Sequence, residues 1–267
     1  MNKPCLILDL DETVISTLTW NEIRQCKKED SDDCKFLNDN IDKLEKYDWH
    51  YDKIPPPRYG KGPTRASYVT FERPGLQDFL DFAFKNFRVF IWTAGSPEYA
   101  VTLTENIILR KNKDARKIHG LFNSYHVDVS ESKFGPLKDL RLLWETFNDT
   151  LPEGSRCTKY DTIIMDDNEL VHEPYPSNCL YMKPLDFQKP RKAVKDTFLK
   201  TIQKQLTVLL KYRSDINQTE TTTAGLLVKA TYGTIEDRDD EIDRVAKLLD
   251  KKRPLDVKAI NMLNGMI

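Results

Sequence analysis

Cys5-Leu6-Ile7-Leu8-Asp9-Leu10-Asp11-Glu12-Thr13 is the stretch on which the reading of this chain turns. Four apolar residues run into a carboxylate, the pattern of a short strand buried on both faces whose C-terminal end reaches a site. Asp9 and Asp11 then stand at i and i+2 on backbone leaving that strand. Two carboxylates so placed can converge on one cation and one phosphoryl group. One can act as nucleophile while the other handles the leaving-group proton. The same residues also read as a solvated acidic turn, and the pattern alone leaves both open.

Outward from this run, Val89–Trp92, Thr162–Met165 and Cys179–Met182 are further short apolar stretches. Helical periodicity lies between and after them. Leu76, Phe79, Leu80, Ala83, Phe84 and Phe87 share one face of Gly75–Phe87, behind Pro74 as a start signal. Pro97–Leu109, Leu137–Phe147 and Ala193–Leu210 show the same spacing. Strands alternating with helices predict an α/β fold, a Rossmann-like parallel sheet with helices on both faces. Its ligand crevice lies beyond the carboxyl ends of the strands. Residues 1–212 read as one domain, with 17–67 inserted directly after the first motif and 213–267 as a C-terminal extension. The stretch Arg24–Lys53 carries seven basic and nine acidic side chains, and Pro55-Pro56-Pro57 stiffens the end of the insert. Apolar stripes at Ile242–Leu249 and Val257–Ile267 predict a helical extension.

Polar groups recur at the strand ends. The Thr93 hydroxyl and its neighbouring N–H groups suit a phosphate oxygen, or an ordinary turn. Lys138 is expected at a helix start, where a cation opposes the macrodipole; it reads as a functional residue or as a solvated lysine beside Asp139. The adjacent carboxylates Asp166 and Asp167 repel one another and call for a cation, or lie in a surface turn.

Composition narrows the classes. No stretch approaches the ~18 apolar residues of a membrane span, and Cys5–Leu8 is too short for a signal peptide. A net charge of -1 gives no bulk electrostatic argument for a nucleic-acid partner. Five irregularly spaced cysteines predict reduced thiols rather than a disulfide framework. Cys26 and Cys34 lack a second Cys/His pair for zinc, and the four scattered histidines suggest no triad. Tyr47, Trp49 and Tyr51 alternate, with Tyr59 beyond the prolines. They read as a strand face packed on the core or as an aromatic shelf for a proline-containing peptide. Lys251-Lys252-Arg253 is a minimal basic run of the kind read as a nuclear-localisation signal, or a solvated helix end.

Together and in this order, these features resemble the haloacid-dehalogenase superfamily of aspartate-nucleophile phosphatases. More narrowly they resemble the branch containing the phosphatases of the RNA polymerase II C-terminal domain, the NLI-interacting-factor-like homology domain. The carriers are Leu6–Ile15, Glu72–Leu80, Phe90–Gly95, Lys138–Leu143 and Ile163–Asp167, within a resemblance spanning roughly Lys3 to Leu210. The resemblance implies Asp9 as the nucleophile forming an aspartyl-phosphate. It implies that Asp11 protonates the leaving oxygen and later deprotonates water. Mg²⁺ would be held by the Asp9 carboxylate, the Asp11 main-chain oxygen and Asp167. Thr93 and Lys138 would hold phosphoryl oxygens, with Asp166 orienting Lys138 or joining the metal shell. The implied activity is Mg²⁺-dependent protein serine/threonine phosphatase, on phosphopeptides like the polymerase tail. With neither a signal peptide nor a membrane span in the sequence, the expected location is the nucleus or cytoplasm, without a membrane partner. The small forms of the branch typically carry Asp-Asn where this chain has Asp166-Asp167, and their insert is shorter. Two other readings share the motifs: a binding or scaffold module, and a phosphatase of nucleotide or polynucleotide ends, for which no concentrated basic stripe is evident. Residues 17–67 are expected to pack beside the sheet edge as a stiff flange. They should leave Asp9 open and line a peptide groove through Tyr47, Trp49 or Tyr59.

Overall fold

Alternate residues of the Cys5–Leu8 strand (β1) point into two different cores, as a period of two requires. Leu6 and Leu8 join one apolar cluster and Cys5 and Ile7 the other, all four without solvent exposure. The computed structural model describes residues 3–53, 64–110, 115–151 and 156–216. In it β1 is the centre of a five-stranded parallel sheet with β5 (Arg88–Trp92), β6 (Ile118–Phe122), β7 (Thr162–Asp166) and β8 (Cys179–Tyr181). The spatial order is β6-β5-β1-β7-β8, and Leu8 lies between Ile91 and Met165. The chain builds β5 and β6 on one side of β1, then crosses to build β7 and β8 on the other. The order therefore reverses between β1 and β7, the position where such sheets open a crevice at their carboxyl ends.

Helices cover both faces. Leu76–Asn86 (α3) and Phe198–Ile216 (α8) pack on the Leu6 and Leu8 side. Ser124–Phe134 (α5) and the segment carrying Leu140, Leu142 and Leu143 cover the other. Gly75 precedes α3 with φ 81°, a left-handed conformation that glycine adopts without a Cβ penalty. Three expected helices differ from their periodicity. Pro97–Leu109 is α4 (Pro97–Leu103) continued by a π-turn through Ile108. Leu137–Phe147 is a turn first and helical only over Leu142–Phe147. Ala193–Leu210 divides into α7 (Pro190–Ala193) and α8, because the Asp196 carboxylate accepts the Phe198 N–H at 2.8 Å and starts a new helix there.

Residues expected to form a flange fold as a second sheet. Ile15–Thr19 (β2), Lys46–Lys53 (β3) and Thr64–Glu72 (β4) pair antiparallel in the order β2-β4-β3, joined through α1 (Trp20–Cys26) and α2 (Asp32–Asn40). Trp49 is buried, stacks on Tyr68 with ring centroids 4.5 Å apart, and packs on the main core. The strand-face reading of the alternating aromatics holds at Trp49, and the aromatic shelf does not. Tyr59, the Tyr51 side chain, the proline triplet and the extension from residue 217, with its basic run, lie outside the described residues.

Cysteine pairing is a correction to the expectation of reduced thiols. Cys5 is bonded to Cys157 and Cys26 to Cys34, leaving Cys179 free and buried. Irregular spacing concealed the first pair because its partners lie 152 residues apart and meet only across the folded sheet.

Arg73 ties the two sheets together. Fully buried, it donates to the Thr13 carbonyl at 2.7 Å and the Lys183 carbonyl at 2.8 Å, and forms a two-point ion pair with Asp196. Removing one partner of such a pair leaves an uncompensated charge. Arg73→Met should therefore cost about 3–5 kcal/mol in urea unfolding. Arg73→Lys should recover little, since an ammonium lacks the planar fork that serves these acceptors.

Candidate active site

Backbone geometry forms the site before any side chain does. The Asp9 N–H bonds the Met165 carbonyl at 3.0 Å, carrying the β1–β7 ladder one residue past the strand. The chain then turns sharply, with the Val14 and Ile15 N–H groups both bonding the Leu10 carbonyl. Glu12 takes φ 56° inside this turn, a left-handed conformation uncommon outside glycine and concentrated at functional sites. Two clamps hold it: Arg73 on the Thr13 carbonyl and the Leu185 N–H on the Glu12 carbonyl at 2.7 Å.

Lys138 reaches the same point from the far side of the sheet. Its ammonium donates to Asp9 Oδ1 at 2.7 Å and to Asp166 Oδ2 at 2.6 Å, with all three side chains buried. It does not start a helix, as the periodicity suggested. Lys138 lies in a turn, and the Asp139 carboxylate caps the following segment by accepting the Arg141 N–H at 2.9 Å. The macrodipole therefore has no direct bearing on Lys138. Ser130 fixes the turn, donating to the Pro136 carbonyl and accepting the Asp139 N–H, each at 2.8 Å.

Asp166 is the last residue of β7. Its second oxygen accepts the Asn168 N–H at 2.9 Å, and His172 Nε2 donates to its carbonyl at 3.0 Å. Asp167 accepts the Thr13 hydroxyl at 3.0 Å. Asp11 turns the other way, accepting Thr93 Oγ1 at 3.4 Å on Oδ2 and the Tyr99 hydroxyl on Oδ1. Thr93, fully buried at the end of β5, also accepts the Gly95 N–H at 3.0 Å. The structure thus brings together all six residues singled out in the sequence. Sequence reasoning gave no role to Tyr99, Thr13, Arg73 or His172. Thr13 and Arg73 stood inside quoted motifs, but their partners are remote in the chain. Tyr99 is separated from Asp11 by 88 residues.

Crowding carboxyls in low dielectric makes their charge costly. Burial pushes Asp9 up to about 6, with Lys138 pulling it down and Asp166 adding to the rise. Burial likewise raises Asp11 to about 6, against the Tyr99 hydrogen bond. Asp166 and Asp167 are raised for the same first cause. Burial alone would lower Lys138, but Asp9 and Asp166 outweigh it and hold the ammonium charged beyond the ordinary lysine range. Asp9, Asp166 and Asp167 each offer an oxygen within 4.8 Å of the others. Three carboxylates facing one ammonium, with hard oxygen donors throughout, fit a Mg²⁺ ion. The Asp11 side chain stands outside this group.

A cleft of about 680 Å³ opens over Asp9, Asp11 and Lys138. Ala94, Val127 and Leu137 line one side and Asn168, Glu169, Leu170 and Glu173 another. No described residue of 17–67 lines it, which corrects the expectation of a groove wall built from Tyr47 or Trp49.

Residues 4–217 match the model of a family described as NLI interacting factor-like phosphatase. The CTD phosphatase-like protein 355R of Invertebrate iridescent virus 3 is 31% identical over 208 residues, 76% of this chain and 95% of that protein. Its counterpart in Invertebrate iridescent virus 6 is 39% identical over 125 residues, 46% of this chain and 65% of that protein. Among solved structures, the fission yeast RNA polymerase II CTD phosphatase Fcp1 bound to beryllium fluoride aligns at 18% identity with a TM-score of 0.46. That alignment covers 93% of this chain, which spans 62% of the yeast chain's length.

Folded-state protonation near pH 6, above the unfolded value of 3.8, means that the native metal-free protein binds the Asp11 proton more tightly than the unfolded chain does. Ionised Asp11 therefore opposes folding above pH 6, and the penalty fades as pH falls towards 3.8. Asp11→Asn should unfold at higher urea than the parent at pH 7 without metal. The gain should shrink steadily as the comparison is repeated at lower pH.

Proposed function

The chain belongs to the NLI interacting factor-like phosphatase family, on a haloacid-dehalogenase-like α/β fold, and from that premise we propose a Mg²⁺-dependent protein serine/threonine phosphatase acting through an aspartyl-phosphate on Asp9. One observation carries the reading: Lys138 bridges Asp9 and Asp166 at the strand-order reversal, with Asp167 beside them and Asp11 facing the same cleft. The site keeps the charged and proton-carrying groups that phosphoryl transfer needs, which favours catalysis over a scaffold role.

Asp9, held by Lys138, supplies the attacking oxygen. A phosphate dianion repels a carboxylate, so its charge must be offset before attack. The Lys138 ammonium does part of this, and Thr93 at the end of β5, whose hydroxyl now donates to Asp11, would turn to a phosphoryl oxygen. Asp9, Asp167 and the Asp11 main-chain oxygen would hold Mg²⁺, with Asp166 turned mainly to Lys138. When bound, the metal supplies the remaining charge neutralisation and orients the phosphoryl group. Asp11 gives its proton to the departing oxygen and afterwards takes one from the water that releases phosphate. With both groups raised to about 6, Asp11 has a protonated fraction to donate near neutral pH.

A polypeptide substrate is supported by the open cleft, whose wall carries the exposed Leu170 between Glu169 and Glu173. The relatives named for the polymerase tail make such phosphopeptides the first class to test. Among the described residues no helix is long and apolar enough to cross a membrane.

The chain assayed with Mg²⁺ should release phosphate from para-nitrophenyl phosphate and from phosphoserine peptides, and not from phosphorylated oligonucleotides. Asp9→Asn should abolish turnover, and Lys138→Ala should lower kcat roughly 10²–10³-fold, the cost of losing one preorganised charge stabiliser. Near-normal release by Asp9→Asn would overturn the covalent route. Preference for oligonucleotide ends would overturn the protein substrate.

A further inference from the structure

Asp11 is reached from an unexpected direction. Its Oδ1 accepts the Tyr99 hydroxyl, which also lies 3.0 Å from Thr17 Oγ1 on β2. Thr17 is 3.0 Å from Thr70 Oγ1, its register partner on β4. Thr70 in turn accepts Trp49 Nε1 from β3 at 3.0 Å. Four hydrogen bonds thus run from the far strand of the antiparallel sheet to the carboxyl assigned to proton transfer.

The two ends set the direction of this chain. An indole N–H only donates, and an ionised carboxylate only accepts. Tyr99 spends its single proton on Asp11, so its oxygen accepts from Thr17. Thr17 therefore accepts from Thr70, and Thr70 from Trp49. Every donor points towards Asp11, the arrangement in which successive bonds polarise and strengthen one another. Packing supports it: the Trp49 ring meets Tyr99 edge-on at 5.4 Å. On the other side, a Cβ at Gly95 would collide with the Tyr99 ring, so glycine there gives the ring its place.

Resting on the phosphatase reading, we propose that Tyr99 is a positioning residue for Asp11, fixing Oδ1 so that Oδ2, which meets only the longer 3.4 Å contact from Thr93, is turned to proton exchange, and that the antiparallel sheet holds Tyr99 through Thr17, Thr70 and Trp49. The step is balanced as follows. An Asp9 oxygen bonds to phosphorus while the ester P–O bond breaks and its electron pair goes to the leaving oxygen. That oxygen takes the proton from Asp11 Oδ2, and Asp11 is left ionised with Oδ1 still bound to Tyr99. In the second half a water oxygen bonds to phosphorus, the Asp9–phosphate bond breaks, and the water proton goes to Oδ2. The strands β2, β3 and β4, in the region where a flange and groove wall were expected, are, on this account, a support for the acid.

The test is the dependence of kcat/KM on the leaving group, because kcat/KM reports on the first transfer and a good leaving group needs little proton assistance. For Tyr99→Phe it should fall roughly 10–100-fold on phenyl phosphate and on a phosphoserine peptide, short of the ~10²–10⁴-fold that a general acid itself contributes because Asp11 remains. On dinitrophenyl phosphate it should fall less than about 3-fold. Thr17→Val keeps the side-chain shape on β2 and should give a smaller fall with the same slope. It also carries the test if Tyr99→Phe does not fold. An equal fall across all leaving groups, or no change on the poor ones, would overturn the positioning role while leaving the phosphatase assignment intact. Absence of turnover by the unaltered chain on every ester would overturn that assignment, and this inference with it.

Discussion

Lys138 donates to Asp9 and Asp166 from a position with almost no access to water, and that shared ammonium sets terms for everything around it. A buried carboxylate is costly, and two within reach of one another cost more. One cation offsets part of that cost only if both acceptors are held at hydrogen-bond distance. Adjacent parallel strands β1 and β7 provide this, because their ladder keeps Asp9 and Asp166 at neighbouring strand ends. The residual negative charge, with Asp167 and Asp11 added, raises the affinity of these carboxyls for a proton.

Much of the remaining structure keeps the turn after Asp9 from relaxing. Glu12 sits in a left-handed conformation that the local sequence does not favour, and the surroundings impose it. Arg73 and Leu185 pin its flanking carbonyls, and Arg73 is itself fixed by Asp196 at the start of α8. The antiparallel sheet adds a third constraint, reaching Asp11 through hydroxyl groups rather than apolar contact. Its burial of Trp49 explains why the described residues of 17–67 contribute no wall to the cleft. The cleft walls come instead from the β5–α4 loop, α5, the Lys138 turn and the segment after β7. That last segment lines the cleft through Glu169, Leu170 and Glu173 without touching the Lys138 ion pairs.

The main sheet was legible because a strand covered on both faces must be apolar throughout, so Cys5–Leu8, Val89–Trp92 and Thr162–Met165 announced themselves without any partner in view. The polar residues ending those runs were legible for the same reason: on parallel strands, successive C-termini share one edge. Helix boundaries were read less well. Periodicity marks a buried face but is silent on a capping carboxylate such as Asp196 or a turn such as the one holding Lys138. The antiparallel sheet was largely hidden, since β2 begins inside the motif and β4 reads as mixed polarity.

By itself, then, the sequence determined the parallel α/β core, the polar strand ends at Asp9, Asp11, Thr93, Asp166 and Asp167, and Lys138 as the cation that lies among them. Only the tertiary structure decided which groups answer one another: Tyr99 with Asp11, Thr13 with Asp167, Arg73 with the turn after Asp9, Cys5 with Cys157. The reason is physical. Burial and periodicity act along the chain within a few residues and leave a pattern there. A hydrogen bond or a disulfide between residues tens of positions apart leaves no local pattern, because its partners become neighbours only after the core has packed.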